Sequence, residues 1–244
     1  MNISSDPDLR IPPGWRRMSE AAWLASRAWH GVGHLDPRGP ADGPPALVIP
    51  GFIANDRTTM ELRRELAKAG WRVHPWSCGW NMGARADTID RLKQRLDQIS
   101  PDQPVLVVGW SLGGVFAREL ARQHPGRVRA VVTLGSPFSQ DPHLNNVWRL
   151  YEWVAGHPVD QPPIPRVTAK PPVPTLAIWS RRDGIIAPLA ARGLPEESDK
   201  AVELHCNHMA FGVSRGTARR VVEEIQSFLA ECSSPAQAGV QAAR

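Results

Sequence analysis

The chain has 244 residues, 42% of them hydrophobic and 22% charged, which is enough apolar material for one sizeable core and rules out wholesale disorder. Twenty-nine Lys and Arg against 24 Asp and Glu leave a formal charge of +5. The pairs Arg16-Arg17, Arg63-Arg64, Arg181-Arg182 and Arg219-Arg220 fall in separate expected elements, so solvated faces explain them better than a nucleic-acid groove.

Residues 1–45 read as an extension. Its opening MNISSDPDLRIPPGWRR lacks the basic-then-apolar pattern of a secretory signal. No run in the chain nears the roughly 18 apolar residues of a membrane span, so the expectation is a cytoplasmic protein without stable membrane insertion. A helix is expected over 19–29, with Met18, Ala22, Ala25 and Trp29 on the face that docks onto the domain. The Pro/Gly-rich DPRGPADGPP, 36–45, leads into that domain as a loop.

From there the pattern is regular. Residues 46–49 form a short buried strand stopped by Pro50-Gly51, followed by a helix over 59–69 closed by Gly70 and a strand over 71–74. An amphipathic helix over 86–99 carries Ile89, Leu92, Leu96 and Ile99 on one face. A third strand begins at Val105, with a helix over 112–123 behind it. Strands follow over 128–134, 175–179 and 202–204, then a closing helix over 215–230 and a flexible tail, 231–244. Strands alternating with helices predict an α/β domain over 46–230: a doubly wound, mainly parallel sheet of about six strands with helices on both faces. Ligands of such sheets bind at the carboxyl ends of the strands.

The interruption between the fourth and fifth strands breaks this rhythm. Residues 137–173 contain an expected helix over 144–155 and then a stretch dense in proline, which reads as a small lid or cap above the carboxyl edge. Trp148, Leu150, Tyr151, Trp153 and Val154 within one helix favour something apolar beneath it. Ten tryptophans stand against a single tyrosine. Of these, Trp110, Trp148 and Trp153, together with Met209, are expected to line a substrate pocket.

The chemistry concentrates at the strand ends. Gly109-Trp110-Ser111-Leu112-Gly113 matches G-x-S-x-G directly between a strand and a helix. Ser111 is either a helix cap or a nucleophile raised above the sheet on a strained turn; the context favours the second. A serine hydroxyl is a weak nucleophile and needs a base and an orienting acid, which on this scaffold follow in the order acid, then histidine. Asp183 lies in the turn after the fifth strand, at a more regular position than Asp160, Glu197 or Asp199. After the sixth come His205 and His208. We favour His208, in the loop beyond the strand, because a base must project over the elbow. His205 then reads as a satisfied structural histidine. His205, Cys206 and His208 could be taken as metal ligands, but no fourth ligand is apparent, and no metal or organic cofactor is called for. Two backbone N–H groups would complete an oxyanion hole, from Leu112 and from Phe52, with Gly51 allowing the bend that turns the Phe52 amide inward. Cys78, Cys206 and Cys232 show no CxxC spacing and read as free thiols.

Over residues 46–230 the chain resembles the α/β-hydrolase superfamily, in its small lipase and esterase branch, through IPGF at 49–52, VVGWSLGG at 107–114, LGSPF at 134–138, SRRDGIIAP at 180–188 and NHMAFG at 207–212. The resemblance implies a serine carboxylic-ester hydrolase with Ser111, Asp183 and His208 as its triad and a small-molecule ester as substrate. Many relatives have His-Gly where this chain has Pro50-Gly51, and the first antiparallel hairpin of the full fold is absent from the expected strands. The same triad also serves acyl transfer or perhydrolysis, and some relatives only bind ligands. Epoxide hydrolysis and dehalogenation use a carboxylate nucleophile, which the serine excludes.

Overall fold

The computed structural model describes residues 7–16, 20 and 37–233. Apart from Glu20, the helix expected over 19–29 lies outside the described residues, as does the chain beyond Ser233.

Six strands build one sheet: β1 (Pro45–Ile49), β2 (Arg72–Pro75), β3 (Val105–Trp110), β4 (Val128–Leu134), β5 (Thr175–Trp179) and β6 (Lys200–Glu203). Their order is β2-β1-β3-β4-β5-β6, and every neighbouring pair is parallel. The helices are α1 (Met60–Lys68), α2 (Thr88–Ile99), α3 (Leu112–Gln123), α4 (Trp148–Ala155), α5 (Pro188–Arg192), α6 (His208–Val213) and α7 (Arg215–Ser233). Among the described residues no helix is long and apolar enough to cross a membrane.

A strand turns alternate side chains to opposite faces, so a strand buried on both sides must be apolar throughout. That is the composition of VLVV in β3 and ALVI in β1. Ala46, Val48, Leu106, Val108, Val132 and Ile178 pack on one face against Leu62 and Leu66 of α1 and Val221, Ile225 and Phe228 of α7. Leu47, Ile49, Val105, Val107 and Val131 pack on the other against Leu92 and Leu96 of α2 and Phe116 and Leu120 of α3. Full burial of one such side chain contributes roughly 1.5–3 kcal/mol.

Several boundaries differ from the sequence pattern, each through a side-chain hydrogen bond. A 3₁₀ turn, Asp56–Thr59, precedes α1 because the Asn55 side chain accepts from the Arg57 amide. The chain enters α2 two residues later than expected, with Thr88 Oγ1 accepting from Arg85 N. Helix α4 begins at Trp148 rather than Leu144, because Asn145 bridges to Ile186 and its side chain accepts from Val147 N. His208, expected in a loop, is the first residue of α6, which Asn207 caps by accepting from Ala210 N.

The strand order fixes where a ligand can sit. The chain steps outward from β1 to β2, then crosses back to place β3 on the other side of β1. The loops leaving β1 and β3 therefore diverge to opposite faces and open a crevice at their carboxyl ends. Pro50-Gly51-Phe52 leaves β1 there, and Ser111 leaves β3.

Helix α3 is pressed onto the strand it follows. A Cβ on Gly109 would strike the Gly113 carbonyl and Gly114 Cα, and one on Gly113 would strike the carbonyl oxygens of Ile49 and Pro50. Gly109→Val is expected to destabilise the fold by about 1–3 kcal/mol or more, because only backbone could yield. Urea unfolding would show this as a lower midpoint at unchanged m-value.

Candidate active site

One residue makes the turn between β3 and α3. Ser111 holds φ 52° and ψ −122°, a conformation that L-residues resist. Holding it there costs about 1–3 kcal/mol, which the close packing of β3, α3 and the β1 loop has to over-determine. Its N–H donates to Leu134 O at 2.8 Å, which ties the elbow to the end of β4. Ser111 Oγ forms no hydrogen bond among the described residues.

The loop after β1 lies directly alongside. A Cβ on Gly51 would come within 3.1 Å of Ser111 Cβ and 3.3 Å of the Trp110 ring. Gly51 is thus needed for close approach, and the positive φ in this loop falls on Ile53, at 51°. Asn81, a residue that the sequence pattern does not single out, holds this loop. Its N–H donates to Ala54 O, its carbonyl accepts from Ile53 N, and its side chain donates to Pro50 O, each at 2.8 Å. Asn81 is 1% exposed, so these bonds satisfy a buried amide as well as shaping the loop. The main-chain N–H groups of Phe52 and Leu112 donate to nothing among the described residues, and both residues line the same pocket as Ser111.

Asp183 and His208 meet where β5 and β6 end. Asp183 Oδ1 accepts from the N–H groups of Ile185 and Ile186, each at 2.8 Å, so the carboxylate cannot rotate. Its other oxygen, Oδ2, lies 2.7 Å from His208 Nδ1. An ionised carboxylate only accepts, so Nδ1 carries the proton and Nε2 keeps its lone pair. Both side chains are buried. Burial alone would pull the His208 pKa down, but the charge and hydrogen bond of Asp183, with the charge of Glu20, more than offset it and leave the pKa raised. Gly135, just past β4, makes room for the pair: at φ 53°, a Cβ there would lie 3.0 Å from Asp183 Oδ2 and 3.2 Å from His208 Nδ1. The sequence signal for this was a glycine directly after a strand.

Trp110 links the pair to the elbow. Its indole Nε1 donates to His208 O at 3.2 Å, and its ring sits 5.8 Å from the imidazole. Ser111 at the end of β3 and the hydrogen-bonded pair Asp183–His208 beyond β5 and β6 thus share the carboxyl edge of the sheet, and among the described residues no hydrogen bond joins Ser111 Oγ to His208. The competing residues lie elsewhere. His205 has a side chain 73% exposed beside Glu203, which is not the satisfied structural histidine expected. Asp160 is exposed, Glu197 accepts from Leu194 N, and Asp199 accepts from Thr175 N. All three cysteines are free, and burial pushes the Cys206 thiol up to about 12, helped by the carboxylates of Asp183 and Glu20.

A largely apolar pocket opens at Ser111, enclosing about 680 Å³ counted out to solvent. Phe52, Leu112, Val115, Trp148, Tyr151 and Ile164 are among the residues that shape it. Of the four side chains expected there, only Trp148 lines it. Trp110 is buried in the core under α6, Trp153 is 82% exposed on the outer face of α4, and Met209 packs beside the α1/α7 core. Trp148 and Trp153 are five residues apart and so point to different sides of one helix. The far wall is the proline-rich chain before β5. Its backbone is held by two arginines, Arg118 Nη2 donating to Thr168 O and Ala169 O and Arg122 Nη2 to Val167 O and Ala169 O, while Arg166 within it donates from Nη2 to Ser139 O.

A doubly wound parallel sheet with a serine on a strained strand-to-helix turn defines a class of protein, and comparison with known proteins agrees with it. The family model described as "alpha/beta hydrolase fold" matches residues 34–158, and the chain belongs to that family. It is 40% identical over 58 residues to a pimeloyl-[acyl-carrier protein] methyl ester esterase of Salmonella heidelberg (strain SL476). That match covers 24% of this chain and 22% of the relative, so it spans only about a fifth of the relative's length. Similar solved structures include a lipase-esterase related protein from Clostridium acetobutylicum ATCC 824 (TM-score 0.59, 16% identity, 78% of this chain and 97% of that one). A thioesterase domain from the curacin biosynthetic pathway is also similar (TM-score 0.54, 15% identity, 76% and 93%). At such identities the likeness is one of fold.

Two outcomes follow from this geometry. Ser111→Gly removes the φ strain that Ser111→Ala retains, and should be more stable than the alanine variant by about 1 kcal/mol in urea unfolding. By NMR, His208 should titrate above the ordinary imidazole value of 6.5, and Asp183→Asn should bring that titration down.

Proposed function

We propose that the protein is a serine hydrolase of carboxylic esters with apolar acyl or aryl groups, working through an acyl-enzyme. The observation that carries this reading is the 2.7 Å contact between Asp183 Oδ2 and His208 Nδ1, with Ser111 on a strained turn at the mouth of an apolar pocket. Backbone strain at a serine that also lines a pocket is the kind found at functional sites.

In this mechanism Ser111 Oγ attacks the ester carbonyl carbon as its proton passes to His208 Nε2. The carbonyl π pair moves onto oxygen, and the N–H groups of Phe52 and Leu112 hold the resulting oxyanion. Asp183 keeps the imidazole in the tautomer that can accept, and stabilises the imidazolium. Collapse of the tetrahedral adduct breaks the bond to the alcohol, which leaves with the proton from Nε2. Water then attacks the acyl-enzyme through the same steps, with Nε2 taking its proton and returning it to Ser111. Residues 137–173 act as a cap that bounds the acyl side. Its apolar wall discriminates by about 1–3 kcal/mol per methylene, so related esters should be accepted together. The esterase and thioesterase names among similar proteins support acyl chemistry of this kind.

Purified protein should hydrolyse short p-nitrophenyl esters, and a fluorophosphonate probe should label Ser111. Ser111→Ala should lose label and lower kcat by on the order of 10⁴-fold or more. The base works only when neutral, so kcat/KM should rise with pH through a limb above 6.5. Full activity in Ser111→Ala, or no turnover of any ester, would sink the reading. Product analysis with competing alcohol, amine or peroxide acceptors separates hydrolysis from acyl transfer.

A further inference from the structure

Glu20 lies outside the part of the chain that matches the family and far from the site in sequence, yet it is only 3% exposed and sits behind the acid and the base at once. Its Oε1 accepts from His208 N at 2.8 Å and from Gly184 N at 3.1 Å, and its Oε2 accepts from Met209 N at 3.0 Å. Gly184 directly follows Asp183. One carboxylate therefore joins the backbone that carries the acid to the backbone that carries the base.

The described residues before Glu20, 7–16, are anchored close to the same loops. Arg16 Nη1 donates to Arg181 O at 2.9 Å, and Asn146 Nδ2 donates to both Pro12 O and Gly184 O. Asp8 pairs with Arg181 and Arg192. A Cβ on Gly184 would lie 2.9 Å from Arg16 O and 3.0 Å from Glu20 Cγ, so the fit is close. A buried carboxylate that lost these donors would be left unsatisfied at high cost, which makes the arrangement all-or-none.

We propose that Glu20 is a positioning residue for the acid–base pair: by clamping the amides of His208, Met209 and Gly184, it sets the base loop against the acid loop and keeps His208 Nδ1 on Asp183. This rests on the reading of Ser111, Asp183 and His208 given above. Glu20 touches no reacting atom. The charged groups that act on the His208 ring are the carboxylates of Asp183 and Glu20, while its neighbour Cys206 stays a neutral thiol. Glu20 thereby adds a second negative charge behind the imidazolium, which forms in each half of the reaction.

The test uses the full chain carrying Glu20→Gln and Glu20→Ala, read in two ways. The glutamine keeps the shape and one accepting oxygen, but loses the charge and turns an NH₂ group toward the Met209 N–H. By NMR, the His208 ring should titrate at lower pH in both variants than in the wild type, and the downfield Nδ1 proton should weaken in Glu20→Ala. In ester turnover, kcat should fall about 10- to 100-fold with KM within about twofold, and the acid limb of kcat/KM should move to lower pH. A clip that merely holds the fold together would lower the unfolding temperature and leave the His208 titration and acid limb in place, and that result would overturn the proposal. If Glu20→Ala does not fold, the near-isosteric Glu20→Gln decides alone. The titration needs no turnover, so an inactive wild type would count against the hydrolase reading while the NMR comparison still judged Glu20.

Discussion

The contact between strand β3 and helix α3 is the constraint on which the rest of the site depends. The two elements are separated by one residue, and they can only lie so close because Gly109, Gly113 and Gly114 put no side chain between them. Given that contact, the backbone at Ser111 has no relaxed conformation available, and its hydroxyl is carried up and out of the sheet. Gly113 also abuts the carbonyls at the end of β1, so the same packing fixes the loop bearing Phe52 relative to the elbow. Strain at the serine and the placement of the Phe52 loop therefore have a common cause.

Asp183 and His208 are positioned by a different principle. Neither loop after β5 and β6 is long, and each is set by hydrogen bonds to backbone amides: Asp183 by those of Ile185 and Ile186, and the His208 turn by Asn207 and Glu20. Burial makes each of these bonds matter, because an amide or carboxylate deprived of its partner there finds no water in its place. It also raises the effect of one charge on another, which is why two carboxylates suffice to overcome the burial of His208 and leave its pKa raised.

Part of the wall of the pocket is chain that lacks regular structure and has few donors of its own. Prolines cannot donate, and an extended stretch exposes its carbonyls. Arg118 and Arg122 supply the missing donors from α3, and Arg166 within the stretch ties it to Ser139 O. The Arg118 guanidinium also stacks over the Phe138 ring at 4.0 Å, and burial lowers its pKa to about 10, so it remains charged near neutrality. The result is a fixed apolar wall built from a segment that would otherwise be loose.

How much of this was readable beforehand follows the range of the forces involved. Continuous apolar runs, helical stripes and glycine stops are local, and they marked all six strands, the covering helices and the order Ser111, Asp183, His208. A motif bounded by a strand and a helix is local too, which is why the elbow stood out. What pattern could not reach were contacts between distant segments. Asn81 gripping the β1 loop, Gly135 making room for Asp183 and His208, and Glu20 accepting from the His208 amide leave no periodic trace, because each is one polar or small residue whose partner is fixed only when the sheet closes. The pocket residues were misjudged for the same reason: an aromatic residue signals burial or contact, but which side of α4 faces Ser111 is decided by how the helix docks, and that docking left Trp148 inside and Trp153 in water. The sequence by itself determined the doubly wound parallel sheet and marked candidate chemistry at its edge, through local sterics and burial. Only the tertiary structure decided which distant groups hold that chemistry in register, because those hydrogen bonds exist nowhere but in the closed fold.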